Sequence, residues 1–407
     1  MHYYAARNPP LEISVPVELA ARVRRIKPSP TLAVTARAGE LRAAGKDVLS
    51  LAAGEPDFDT PEHIKAAAVA AIAAGRTKYT PVGGTPGLKK AIAGKHERDN
   101  GLHFEPNQIV ASTGGKQACY NLCQALLDDG DEVVIPAPYW VSYPAMATLA
   151  GGVPVAIPTT AEARYKITPE QLEAAITPRT KLLFLNSPSN PSGMVYTKAE
   201  LAALGEVLLR HPRVFVATDD MYEKIVWMDE PFADIINACP ALADRTVVIY
   251  AVSKSYAMTG WRLGWACGPK PVIAAMSAIQ SQSTSNPSSI SQAAAEAALN
   301  GDQSCVTEMV AAFRRRHDRV VAGLNAIPGV RCLRGDGTFY AFPDVTRLIA
   351  HLGVKDDVEL AKRLLDDALV ALVPGTAFGA PGHLRLSFAT SGKVIDEALA
   401  RIARLAA

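Results

Sequence analysis

Four features in the middle of this chain have residue types and surroundings that could do chemistry. Lys254, in Ser253-Lys254-Ser255, follows the apolar run Thr246 to Val252. A lysine at the inner end of a buried strand is costly unless it is paired or used covalently. Burial and a cationic neighbour lower a lysine's pKa and make its amine a nucleophile. Asp219 closes a second apolar run, Val214 to Thr218. A carboxylate there either caps the next helix or pairs with a ligand cation, and Asp220 beside it leaves open which of the two acids does so. Ser112-Thr113-Gly114-Gly115-Lys116 follows a third run and opens a helical pattern. Glycines let a phosphate approach the free amides of such a turn, and the helix dipole favours the anion. Arg262, eight residues after Lys254, carries a planar fork suited to a phosphate. Each has a bland alternative: a loop lysine, a helix cap, a plain strand-to-helix turn. Together, in this order, they weigh against an accidental grouping.

Such groups must be carried at the ends of strands, because open α/β sheets bind ligands at the strands' carboxyl ends. The chain alternates short β-branched runs with helical patterns. Strands are expected at Ile109–Thr113, Glu132–Pro136, Val153–Ile157, Lys181–Leu185, Val214–Thr218, Thr246–Val252 and Leu263–Gly268. Helices are expected between them, from Lys116 to Leu127, from about Trp140 to Ala150, and over 197–210. This alternation predicts an α/β domain with a mostly parallel sheet. After residue 288 the texture becomes α+β. Helices run to Leu299 and from Val306 to Ala326, with others near 356–369 and 392–406. Strands fall at Phe339–Phe342, Val370–Val373 and His383–Ala389. The expected division is a large domain over 49–292 and a smaller one from 293–407, with residues 1–48 packing on the latter.

Composition narrows the function. The 407 residues are 49% hydrophobic and 20% charged with net charge +2, an ordinary globular balance without the basic stripe of a nucleic-acid binder. Arg314-Arg315-Arg316 reads as a solvated helix face. The six cysteines and eight histidines show no zinc-site spacing and no HExxH, so no metal is expected. Free core thiols in a reducing compartment fit better. No GxGxxG follows a strand, and Gly39 to Lys46 misses the P-loop spacing by one residue. The apolar stretch Ala66–Ala74 is too short to span a bilayer. There is no apolar signal core, and Arg24-Arg25 leads into Ile26-Lys27-Pro28-Ser29-Pro30 rather than an apolar run. A cytoplasmic enzyme is the expectation.

Six segments, two of them around features already named, make the pattern specific: Gly54-Glu-Pro-Asp-Phe-Asp-Thr-Pro61, Lys78-Tyr-Thr-Pro81, Gly114-Gly-Lys-Gln117, Pro138-Tyr-Trp-Val-Ser-Tyr-Pro144, Asn186-Ser-Pro-Ser-Asn-Pro-Ser-Gly193 and Ser253-Lys-Ser-Tyr-Ala-Met-Thr-Gly-Trp-Arg262. With these, the chain from about Ile26 onward resembles the class I, fold-type-I aminotransferases that use pyridoxal 5'-phosphate (PLP), and most of all the bacterial aspartate aminotransferases. The resemblance implies that Lys254 forms a Schiff base with PLP and then shuttles the Cα proton. It implies that Asp219 pairs with the pyridine nitrogen, that Tyr222 and Asn190 bond the ring's phenolic oxygen, and that Trp140 stacks on the ring. The amides of Gly115 and Lys116, with Ser253 and Arg262, would hold the phosphate. Arg385, in His383-Leu-Arg-Leu-Ser387, would clamp the substrate α-carboxylate, and the Gly54 backbone would line the pocket. Lys116 would meet a distal carboxylate, with Ser29 and Thr31 assisting. Tyr79 would reach the PLP phosphate of a second subunit, which implies a homodimer with shared sites.

Three positions depart from the family pattern. Asp219-Asp220 stands where Asp-Glu is common, Ala251 where many members have Ser or Thr, and Ser189-Asn190-Pro191 where Asn-Asn-Pro is usual. The expected reaction is transfer of an amino group between an L-amino acid, first of all aspartate, and 2-oxoglutarate by a ping-pong route. An aspartate/prephenate or aromatic aminotransferase is the alternative. A PLP-dependent lyase ranks lower, and a non-catalytic PLP-binding regulator lower still, since residues 1–48 are too short for a DNA-binding module.

Overall fold

A computed structural model describes residues 17–26, 28 and 30–407. Strand β1 (Leu49–Ser50) precedes the central sheet. That sheet comprises β2 (Ile109–Ser112), β3 (Glu132–Ala137), β4 (Val153–Pro158) and β5 (Thr180–Asn186), then β6 (Phe215–Asp219), β7 (Thr246–Ala251) and β8 (Gly264–Cys267), in the order β2-β8-β7-β6-β5-β3-β4. All its pairings are parallel except those of β8, which is antiparallel to both neighbours. The remaining strands, β9 (Tyr340–Ala341), β10 (Val370–Ala371), β11 (Val373–Pro374) and β12 (Leu384–Ser387), form two small sheets, β11-β12-β9 and β1-β10.

The central strands are apolar on both sides because helices cover both faces. All six residues of β7, Thr-Val-Val-Ile-Tyr-Ala, are buried. Side chains alternate between two cores. Ile109, Ala111, Val216, Val248 and Tyr250 face one, with Leu88 and Ile92 of the helix Pro86–Asn100. Val110, Ala217, Val247 and Ile249 face the other, with Ala118, Cys119 and Leu122 of the helix Gly115–Leu126. Local chemistry sets the helix ends. Thr85 Oγ1 caps the Leu88 amide, Pro86 opens the first turn, and Gly101 closes the helix in the left-handed conformation. A third core lies under the long helix Ser304–Asn325 and the small sheets.

Most strand expectations hold within a residue or two. The helix expected from Trp140 starts only at Tyr143. The expected strand Val370–Val373 breaks at Leu372 to serve two sheets, and Phe339–Phe342 contributes only Tyr340 and Ala341. Arg316 is not the solvated residue expected of its cluster. It bonds Asp57 at 2.7 Å and lies over the Phe58 and Phe313 rings, tying the long helix to the segment after Gly54. Five of the six cysteines are buried and all are free. Among the described residues no helix is long and apolar enough to cross a membrane.

Candidate active site

The carboxyl ends of the parallel strands and the start of the reversed strand β8 meet at one edge. Gly264 lies so close to the Gly114–Gly115 backbone that a Cβ there would overlap it. Gly114 has φ +83°, and a side chain on it would occupy the Arg262 guanidinium, so glycine is required on both counts. A cavity of about 280 Å³ opens at this edge. Gly54, Gly115, Lys116, Trp140, Asn190 and Asp219 line it, as do Tyr222, Ser253, Lys254, Arg262, Arg385 and Thr31. Residues more than 300 positions apart are thus brought together. Ser29 lies outside the described residues. Tyr79 is not part of this cavity: it is 93% exposed, on a loop.

Lys254 sits in the helical turn Val252–Ser255 that follows β7. Its Nζ donates to the Gly54 carbonyl at 2.5 Å. Burial, and then the Arg262 charge, pull its pKa down to about 8. Roughly one amine in ten is therefore neutral at pH 7, where an ordinary lysine is almost wholly charged.

Asp219 ends β6, and Asp220 follows it. Strand alternation sends them to opposite faces. Asp219 turns to the cavity and to Tyr143, whose hydroxyl donates to Oδ2 at 2.5 Å. Its other oxygen, Oδ1, is buried without a hydrogen-bond partner among the described residues. Burial raises its pKa to about 6, opposed first by the Tyr143 hydrogen bond. Asp220 turns instead toward the side of Asp234 and Glu223 and accepts from Thr218 Oγ1 at 2.6 Å. It does not line the cavity, and the ambiguity between the two acids resolves geometrically.

Arg385, on β12, is buried. Its Nη1 donates to Asn190 Oδ1 at 3.0 Å and its Nη2 to the Ala52 carbonyl at 2.7 Å, while Nε has no partner among the described residues. The guanidinium lies over the Tyr340 and Phe378 rings, at 4.5 and 5.0 Å. Burial pulls its pKa below the usual arginine value. Tyr222 shares a 3.1 Å hydrogen bond with Tyr340, and burial raises its pKa. Lys116 Nζ stands 4.9 Å from the Trp140 ring. Desolvation, and then Arg262, pull its pKa down.

Four cations, Lys116, Lys254, Arg262 and Arg385, thus surround a cavity with one acid, Asp219. None of the four has a carboxylate within ion-pair distance among the described residues. Arg385 is buried and Lys254 half-buried, while Lys116 and Arg262 are exposed at the rim. An unpaired buried cation is expensive, so this excess of positive charge suits anions. The unpartnered Asp219 oxygen calls for one cationic or N–H group among them.

Sequence reasoning did not single out Tyr143, Asn186 or Tyr340. Tyr143 stands three residues after Trp140 in a segment already noted, so its place in that motif was an available signal. Tyr340 has no such signal: its hydroxyl limits the space beside Gly54, where an added Cβ would come within 2.9 Å of it.

The family model for aminotransferase class I and II matches residues 46–402. An aspartate/prephenate aminotransferase of Nitrosomonas europaea is 56% identical over 96% of this chain and 100% of its own. An aspartate aminotransferase of Geobacillus stearothermophilus is 51% identical over 95% of this chain and 98% of its own. Among solved structures, the aspartate aminotransferase of Rhizobium meliloti superposes with a TM-score of 0.93 at 49% identity, covering 96% of this chain and 99% of that one. That of Thermus thermophilus with maleate gives 0.90 at 46%, covering 96% and 100%.

Proposed function

The chain belongs to the class I and II aminotransferases, and from that premise we propose that it moves an amino group between L-aspartate and 2-oxoglutarate using PLP. The observation that carries the reading is the cavity's charge pattern: one nucleophilic lysine and three further cations, with a single acid whose inward oxygen lacks a partner. A phosphorylated pyridine aldehyde matches that donor set. Lys254 would hold its aldehyde carbon. The Gly115 and Lys116 amides, Ser253 and Arg262 would take its phosphate, and Trp140 would cover its ring. Asp219 would face the ring nitrogen, with Tyr222 and Asn190 at the phenolic oxygen. When bound, the cofactor supplies an electron sink for the bond broken at the substrate Cα.

The protein's own groups do the rest. Arg385 is pre-oriented by Asn190, the Ala52 carbonyl and two rings, so it can take an α-carboxylate with little further ordering. Lys116, beside Trp140, takes the distal carboxylate, with Thr31 nearby. The Thermus thermophilus relative, solved with the dicarboxylate maleate, agrees with this. Lys254, with its lowered pKa, takes the Cα proton and returns it. Tyr222 keeps its phenolic proton because burial disfavours the anion.

Tyr79, exposed and outside its own chain's cavity, supports a homodimer in which it reaches the partner's cofactor phosphate. Six free cysteines favour the cytoplasm. The division at 49–292 against 1–48 and 293–407 draws support from the core under the helix Ser304–Asn325, which Leu51, Tyr222 and Ile225 join from the large domain. Its boundary, however, cuts the helix Ser289–Asn300, whose Ala294, Ala295, Ala298 and Leu299 pack in the large domain's core. A coupled assay of amino donors with 2-oxoglutarate tests the reading: aspartate should lead, and equal turnover of uncharged donors would overturn it. Prephenate as acceptor is the second reading, favoured by two relatives of that name at 56% and 54% identity.

A further inference from the structure

Asp219 is held from two sides. Tyr143 donates to its Oδ2 at 2.5 Å, and Asn186 Nδ2 donates to its backbone carbonyl at 2.8 Å. Tyr143 has little freedom of its own. It is buried and stacks on Phe184, with centroids 4.4 Å apart and planes at 17°. The Trp140 ring meets it edge-on at 5.3 Å. Burial and the Asp219 charge push the Tyr143 pKa up, so the phenol keeps its proton and can only donate toward the carboxylate.

Resting on the PLP reading above, we propose that Tyr143 is a positioning residue for Asp219. Its hydroxyl turns the free Oδ1 into the cavity and draws negative charge away from it, so that a proton shared with the cofactor's ring nitrogen stays on the ring. A shared proton resides on the stronger base. Burial makes Asp219 a stronger base than an ordinary carboxylate, and each hydrogen bond donated to it makes it a weaker one. Without the tyrosine hydroxyl, the carboxylate would lose its side-chain donor and keep only the weaker support of the Met221 amide. The carboxyl would then keep the proton and offer the ring only a neutral hydrogen bond. A neutral ring absorbs less of the charge that develops when a Cα bond breaks. Phenylalanine at 143 preserves the stack on Phe184 and removes only the donor.

The test compares wild type and Tyr143→Phe, reconstituted with PLP or with an analogue whose ring nitrogen is replaced by carbon. PLP affinity should fall roughly tenfold, as for one hydrogen bond to a charged group, while analogue affinity changes less than about twofold. The 15N resonance of ring-labelled PLP should move toward the neutral pyridine position. In an Asp219→Asn background, adding Tyr143→Phe should have no further effect on PLP affinity. Equal weakening of both ligands, an unmoved 15N resonance, or a further loss in the double variant would overturn the role of Tyr143 and leave the PLP reading standing. Absence of saturable PLP binding by wild type would remove both.

Discussion

The two sides of the end of β6 hold the same ingredients in opposite arrangements. Behind the sheet, Lys95 is fully buried and ion-paired with Glu223, and also bonds Asn100 Oδ1 at 2.8 Å. Asn100 Nδ2 in turn donates to Glu223 at 2.9 Å. Asp220 and Asp234 complete this network, and burial pushes both pKa values up, Asp234 to about 6. In front of the sheet, Arg385 is buried without a carboxylate, and Asp219 without a cation. Both regions bury charge, but only the rear one neutralises its cation internally. The Lys95–Glu223 pair is a structural element, although Asp220 Oδ2 and Asp234 Oδ2 beside it are, like Asp219 Oδ1, buried without a hydrogen-bond partner among the described residues. A buried cation and a buried acid kept apart across a cavity are a binding site awaiting ligand groups.

The contrast can be broken in four ways, the largest effect first. Lys254→Ala should lower transamination by roughly 10⁴-fold, the upper range for loss of a proton-transferring group, with little change in thermal melting. Retained steady-state turnover would remove the chemistry from the front. Glu223→Gln should behave in the opposite manner. It strands Lys95 and should cost about 3–5 kcal/mol of stability in denaturant unfolding, while KM for aspartate stays the same in the folded fraction. A raised KM with unchanged stability would invert the comparison.

Arg385→Lys keeps the charge but loses the planar fork. It should lower kcat/KM for aspartate by roughly 10–100-fold, chiefly through KM, with a smaller stability loss than Glu223→Gln. The weakest effect concerns pH. Asp234 caps the helix Ile235–Ala238, and asparagine caps equally well, so Asp234→Asn removes the titration and spares the cap. The folded pKa of Asp234, about 6, lies above the ordinary 3.8. The folded state therefore holds the proton longer, and stability from this group is full below about pH 4 and lost as pH rises through about 6. Groups facing it from packed elements include Asp220, Glu223 and Lys95. Wild-type stability relative to Asp234→Asn should fall between those pH values. A flat difference would place the proton elsewhere in the network.

Strands and the nucleophile were legible from local pattern, because β-branched runs such as Thr246 to Tyr250 need no distant information to be read. The choice between Asp219 and Asp220 was not legible from local pattern, and only the family resemblance pointed to Asp219. The choice depends on which helix covers which face of β6, a matter of long-range packing. Tyr143 meets Asp219 across 76 residues, and Tyr222 meets Tyr340 across 118, contacts that no local window contains. Arg316 was misjudged for the same reason: Asp57, its partner, is 259 residues away.

The reversal of β8 has a consequence for how this protein can be rebuilt. Because β8 alone runs backwards, the residues before it and those after β2, β5, β6 and β7 all fall at one edge, and the opposite edge carries none of them. The exposed turn Asp128–Gly130, which leads into β3, lies on that opposite edge. A tag, a fused domain or a proteolytic nick there touches no segment that lines the cavity. Loops at a sheet's unused edge tolerate such changes best, so this turn is a handle by which the enzyme can be tethered with its cavity open.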